Sequence, residues 1–203
     1  MMEFPIPYKD ERIEGAIAFF ASEHKKKTRE NLSQTALYKY LAFFDFRSLE
    51  ESGEPALGLT YQAMKNGPVP KEIYIDKKYR KSQYYLFEEK PFYKDGKELI
   101  AIEIIPKPTK NKDYLEFFSE YDLELMNNLV FIFSRLWVTA KIMSDASHEK
   151  KDGIRAWVKT WKKQQNAIID MSDTFDNLQK KYNDHTASIA EEHFYIYQKL
   201  HAN

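Results

Sequence analysis

Residues 53–70 read Gly53-Glu-Pro-Ala-Leu-Gly-Leu-Thr-Tyr-Gln-Ala-Met-Lys-Asn-Gly-Pro-Val-Pro70, and no other stretch limits the chain's path so strongly. Three of the six glycines and three of the eight prolines fall here. Glycine admits backbone shapes closed to other residues. Proline removes a donor and pushes the preceding residue out of the helical region. A helix is therefore expected to end at Gly53, with Pro55 stiffening the turn. Gly58 allows a special geometry or a close approach. Gly67-Pro-Val-Pro70 forms a second hinge, and a new helix is expected to start near Pro70, where a missing donor is harmless.

The same stretch opens with the outline of a phosphate-binding loop, Gly53-x-x-x-x-Gly58. That loop needs a Lys directly after its second Gly and a buried strand before it. Here Leu59 takes the Lys position, and Arg47-Ser-Leu-Glu-Glu-Ser52 reads as a helix end. Nucleotide binding is not expected.

Flanking segments have mostly helical spacing. Ile13, Ala16, Ile17, Phe20 and Ala21 share one face, and His24-Lys-Lys-Lys-Thr-Arg29 reads as a solvated turn. A second helix starts near Ser33 with Leu37, Tyr40, Leu41 and Phe44 inward. Residues 59–65 and 69–79 are read as short helices. Residues 84–106 change period: aromatic and branched runs flank Asp95-Gly96, a hairpin signal, with Pro91 marking an edge or a break. Ser119-Glu-Tyr-Asp122 resembles an N-cap with Asp in place of Glu or Gln. The helix after it aligns Met126, Leu129, Val130, Phe133, Leu136, Trp137, Ala140 and Met143, and is read as the central core helix. Another helix carries Ile154, Trp157, Val158 and Trp161.

In the last forty residues Ile168, Phe175, Tyr182, Ile189 and Ile196 recur every seven, with Met171, Leu178 and His185 at companion positions. This seam suits a helix packed on its own domain or an intermolecular coiled coil, with a kink near residues 183–188. The expected fold class is α+β, mainly α-helical: a domain over residues 1–163 with a small antiparallel sheet at about 84–106, and a helical extension over 164–203.

Chemistry is sparse. There is no cysteine, so disulfides, thiolate catalysis and Cys-ligated zinc are excluded, in keeping with a reducing cytoplasm. The first residues lack a signal-peptide apolar core, and no membrane span is expected. Thirty-one basic residues balance thirty-one acidic ones, which disfavours general nucleic-acid binding. His185, His193 and His201 are each eight residues apart and do not gather around one metal. His148 beside Ser147 reads as a capping or buried hydrogen-bonding residue, since adjacent side chains diverge. No Gly-x-Ser-x-Gly occurs. No enzyme activity, metal or cofactor is expected.

Three motifs in order carry a resemblance. Tyr38-Lys-Tyr-Leu-Ala-Phe-Phe-Asp-Phe46 comes first. Gly53-Glu-Pro, Gly58-Leu-Thr-Tyr-Gln-Ala63 and Gly67-Pro-Val-Pro70 follow, and Ser147-His148 with Trp157 completes the set. Together they resemble the Panacea domain, the SocA-like antitoxin family also found in phage-associated proteins. Ala42 stands where that family tends to have Tyr, and Leu57 where it has Thr. The resemblance implies an antitoxin that binds a cognate toxin protein directly. It also implies that Asp45, Gly53, Gly58, Tyr61, Gly67, Pro68, Val69, Pro70, Ser147, His148 and Trp157 maintain a shared scaffold.

Partner choice should then lie on exposed faces and on the tail, where Phe175, Leu178, Tyr182, Ile189, Phe194, Tyr195 and Tyr197 are candidate partner-binding residues. Three alternatives stay open. The first is a proteolytic adaptor that delivers the toxin to a protease. The second is a winged-helix DNA-binding regulator using helices at 33–49, 59–65 and 70–79 with Lys71, Lys77, Lys78, Arg80 and Lys81. The third is an enzyme with a pocket formed by Asp45, Tyr61 and His148.

Overall fold

A computed structural model describes residues 6–149 and 153–201. Its centre is a helix with no polar face. Every residue from Ala36 to Phe46 is buried, and the only charged side chains in that run are Lys39 and Asp45. This helix, α2 (Gln34–Ser52), starts where the Ser33 hydroxyl accepts from the Ala36 amide. It ends at Gly53, which has a φ of 85° and whose backbone N–H donates a hydrogen bond to the Leu49 carbonyl, closing the last turn. A helix apolar on all sides must be surrounded, and the rest of the fold is arranged to do so.

The first layer is α1 (Lys9–Thr28), which buries Ile13, Ala16, Ile17 and Phe20. Phe20 stacks on Tyr40 of α2 at 4.7 Å between ring centroids. The basic run at 24–29 is the last turn of α1 rather than a separate turn. It ends at Arg29 in the left-handed region, and His24 bonds the Tyr40 hydroxyl.

A strand pair follows: β1 (Leu32–Ser33) is very short, and β2 (Tyr61–Met64) pairs antiparallel with β3 (Gly67–Pro70). The helices expected at 59–65 and 69–79 are thus replaced by β2, β3 and a single turn, α3 (Lys71–Tyr74). The two prolines cannot donate within a helix; β3 is buried against α2, and β2 buries Tyr61 and Ala63 while Gln62 and Met64 are half-buried. The winged-helix arrangement loses its second and third helices with this correction.

The Asp95-Gly96 hairpin forms as expected. Strands β4 (Tyr85–Lys94) and β5 (Lys97–Pro106) pair over their length, and both turn residues have positive φ, as a type I′ turn requires. The sheet order is β1-β5-β4, so Pro91 lies on an edge strand.

Ser119 and Asp122 complete a reciprocal capping box for α4 (Glu120–Phe133). The single helix expected through Met143 does not form. Val138 closes a turn onto the Arg135 carbonyl, and the Thr139 hydroxyl caps a new helix, α5 (Ala140–Ser147). Met126, Leu129, Val130, Phe133 and Met143 are buried, but Leu136 and Trp137 point outward. The central helix is α2, not this one.

The chain continues through α6 (Arg155–Lys163), a 3-10 turn at Met171–Thr174, α7 (Leu178–Asn183) and α8 (Ile189–His201). The heptad seam therefore splits into separate elements. Residues 166–169 lie along β2, with amide–carbonyl bonds of 2.8 Å from Ala63 to Ala167, from Asn166 to Ala63 and from Ile169 to Tyr61. The tail is joined to the domain by this backbone ladder and by α8 against α2.

Candidate functional site

The loop that outlines a phosphate-binding turn does cradle an anion, and the anion is Asp45. From the fully buried interior of α2 its carboxylate accepts the amides of Leu57 (2.5 Å), Gly58 (3.0 Å) and Leu59 (3.2 Å). The Tyr61 hydroxyl donates to the same group at 2.8 Å. Burial pushes the Asp45 carboxyl up to about 6, and these four donors pull against it. Tyr61 is driven in the same upward direction by its own burial and by the Asp45 charge.

The outer side of the loop is equally engaged. Lys9 donates to the Gly58 carbonyl at 2.7 Å, Arg12 donates to the Ala56 carbonyl, and Glu72 accepts from the Thr60 amide. Loop amides that a phosphate would need already face a carboxylate of the same chain.

A second knot forms where β3 meets α5. Lys39 is buried and reaches the Pro68 carbonyl at 3.5 Å, a long contact for an ammonium. Burial lowers its pKa to about 7. Gly67, with φ of 103°, sits directly against it: a Cβ there would lie 2.4 Å from Lys39 Nζ and 2.6 Å from Ser147 Oγ. Ser147 is fully buried and donates to the Ser144 carbonyl, and Ser144 donates to the Asn66 carbonyl at 2.6 Å. His148 follows at the end of α5, stacked on Trp157. The Trp157 indole donates to the Met64 carbonyl at 3.1 Å, which pins α6 to β2. Burial lowers the pKa of His148, and the nearby Lys39 charge adds to the effect.

The scaffold residues named from sequence thus converge. Asp45, Gly58 and Tyr61 form one knot; Gly67, Pro68, Ser147, His148 and Trp157 form the other. Val69 and Pro70 are buried in β3 between them. Gly53 stands apart as the α2 cap that meets α8: a Cβ there would lie 2.6 Å from the Ala190 carbonyl. Asp45 and Tyr61 do meet, but their polar atoms are turned on each other and on the loop, while His148 is engaged with Trp157. Lys39 was not singled out from sequence. Its signal was a lysine with apolar neighbours on every helical face. Among the described residues, no three His, Asp or Glu side chains are grouped to hold a metal ion.

The chain matches the family model described as antitoxin SocA-like, Panacea domain, over residues 37–153, more than half its length. The chain belongs to this family. The matched span of the Panacea domain runs from the start of α2 to just past α5, so it holds both knots apart from Trp157. No curated protein and no solved structure matches the chain. No helix among the described residues is long and apolar enough to cross a membrane.

Among the partner-binding candidates of the tail, Phe175, Phe194 and Tyr197 are buried, with Phe175 and Phe194 in contact at 5.1 Å. Leu178, Tyr182 and Tyr195 are half-buried, and the two tyrosines stack at 4.1 Å. Ile189 is exposed. The tail candidates therefore divide into an inner group facing the domain and an outer group facing solvent.

Proposed function

We propose that this Panacea-family protein is an antitoxin that neutralises a cognate toxin by direct, stoichiometric protein binding, in the cytoplasm. Membership of a SocA-like antitoxin family carries the reading. The geometry agrees with it, because the motif residues are spent on holding the chain together. Large apolar side chains that stabilise nothing inside are left on the surface, where a partner would use them. Occlusion of the toxin by such a surface needs no catalytic group. The outward tail residues, Ile189 with half-buried Tyr182 and Tyr195, contribute to toxin choice, and the inner ones hold the tail in place.

The test is co-expression with the protein encoded by the adjacent reading frame. Restored growth, co-elution of the two proteins and an undiminished toxin level are expected. Disappearance of the toxin would instead favour proteolytic delivery. A neighbour that is not toxic, or one that this chain neither binds nor restrains, would end the antitoxin reading.

A further inference from the structure

Between α4 and α5 the chain turns outward instead of inward. Leu136 is 93% exposed, Trp137 and Phe131 are each 64% exposed, and Ile132 and Ile142 also face solvent. Single exposed apolar residues are ordinary; five large ones within twelve positions are not. The corner is firmly based. Phe133, next to Ile132, points inward and packs on Tyr40 and Phe43 of α2 at 5.6 and 5.1 Å, and Met143 is buried on the far side. The exposed group therefore stands on the central helix.

Arg135 organises this group. Its guanidinium carbon lies 4.8 Å from the Phe131 ring centre and 5.4 Å from that of Trp137. It bridges two aromatic side chains through cation–π contacts and makes no ion pair among the described residues. The other cation of the corner, Lys141, is paired with Asp145 at 3.0 Å. The surface thus presents two ordered rings, three aliphatic side chains and one uncompensated positive charge. Aromatic and arginine anchors on a rigid base are the composition of an interface centre.

We infer that this α4–α5 corner is the primary docking surface for the toxin, and that the toxin meets it with an apolar patch carrying a carboxylate opposite Arg135. The inference rests on the antitoxin reading and adds the surface and the chemistry of its partner. Charge decides among occupants. A second copy paired about a two-fold axis would set Arg135 against its own symmetry mate, with no free carboxylate in the corner to answer it. The nearest acids in sequence are Asp145, held by Lys141, and Glu124, about three turns earlier towards the start of α4. An anionic membrane or a nucleic-acid backbone would call for several cations, and the corner offers one that is unpaired.

The experiment measures binding of the adjacent-frame protein, in a catalytically dead form, to the full chain and to Leu136→Glu, Trp137→Ala, Arg135→Met and Arg135→Glu. Growth rescue is read in parallel with active toxin. These side chains are exposed, so melting temperatures should stay within a degree or two. Leu136→Glu and Trp137→Ala should weaken binding by roughly 30-fold or more. Arg135→Glu should be worse than Arg135→Met, because it adds repulsion to a lost attraction. Retained affinity in all four variants, with normal neutralisation, would overturn the corner while leaving the antitoxin reading intact. Loss of a dimer with toxin binding unchanged would show a self-association surface and also overturn it. Vesicle binding abolished by the same variants, again with toxin binding unchanged, would overturn it as well. Failure of the unaltered chain to bind or rescue would remove the antitoxin reading itself, and the inference with it.

Discussion

The imidazole of His148 lies flat on the indole of Trp157, with ring centroids 3.9 Å apart and planes 7° from parallel. Trp157 in turn stacks on Trp161 at 5.6 Å, so His148 caps a short column of rings on α6. Its Nε2 is buried without a hydrogen-bond partner among the described residues. That environment opposes a charge on the ring. Burial is the first cause of the lowered pKa, and Lys39 the second.

Acid sensitivity follows. In the unfolded chain His148 takes up a proton near its ordinary 6.5, while the folded chain resists it. The unfolded state then binds more protons, so stability is fully present above about 6.5 and declines as pH falls below it. His24, also lowered by burial, acts in the same direction. Replacing His148 by Phe should keep the stack and remove part of this acid slope in melts between pH 5 and 8. Replacing it by Ala should cost about 1–2 kcal/mol at neutral pH through the lost stacking and burial. An unchanged slope for His148→Phe would show that the ring titrates freely in the folded protein.

Lys39 gives a second pH window. Its folded pKa is lowered to about 7 against an ordinary 10.5. Between these values the unfolded lysine holds a proton that the folded one has released, so stability rises as pH climbs from about 7 towards 10.5. Lys39→Met, of similar length and without a charge, should be more stable than the parent at pH 7, by an amount on the order of 1–3 kcal/mol. It should also lack the alkaline rise. A Met variant that melts lower at every pH would mean that the bond to Pro68 outweighs the cost of burying the ammonium.

The Asp45 knot makes the opposite prediction, because its partners are donors in fixed positions. Asp45→Asn keeps the shape but turns an NH₂ towards backbone amides, and should destabilise by about 3 kcal/mol or more. Tyr61→Phe removes one of the four donors and should cost only about 1–2 kcal/mol. Gly67→Val belongs with this group. A φ of 103° resists a branched side chain, and the new atoms would strike Lys39 and Ser147. All three should lower the melting temperature before they alter recognition. A normal melt with lost neutralisation in any of them would place that residue at the toxin surface instead.

Much of this was legible in the chain. The cap at Gly53, the capping box from Ser119 to Asp122 and the type I′ turn at Asp95-Gly96 are decided within a few residues, and local chemistry predicts them. The two knots were visible only as names in a motif. Nothing local says that Asp45 will receive three amides from residues 57–59, since that depends on how α2 is surrounded. Residues 59–70 were misread for the same reason: Tyr61-Gln-Ala-Met64 has no helix-breaking residue, and pairing with Gly67-Pro-Val-Pro70 on one side and residues 166–169 on the other makes it a strand. The apolar spacing through Leu136 and Trp137 fitted a helical face, but α4 ends at Phe133 and α5 starts only after the Thr139 cap, so both residues lie in the turn between them and face outward. Periodicity locates apolar side chains on a face; it does not say whether the face is covered.

The tail supplies the last prediction, since its residues face two ways. Phe194 is fully buried, packed on Phe175, and its helix is held at the C-terminus of α2, where His193 Nδ1 donates to the Ser52 carbonyl at 2.8 Å. The fit at this contact is tight: a Cβ on Gly53 would lie 3.0 Å from the Cβ of His193 and 3.1 Å from the Phe194 amide. Phe194→Ala should therefore cost about 3–5 kcal/mol. Gly53→Ala should destabilise as well, by forcing both a strained φ and a displacement of α8. Ile189, 87% exposed, and Leu200, 75% exposed, should tolerate Ala with no change in melting. Growth rescue then separates two roles for the tail. Weaker rescue by Ile189→Ala with an unchanged melt assigns toxin contacts to the outer face of α8. If only Phe194→Ala and Gly53→Ala impair rescue, each in proportion to its loss of stability, the tail acts as scaffold and recognition belongs to the rest of the surface.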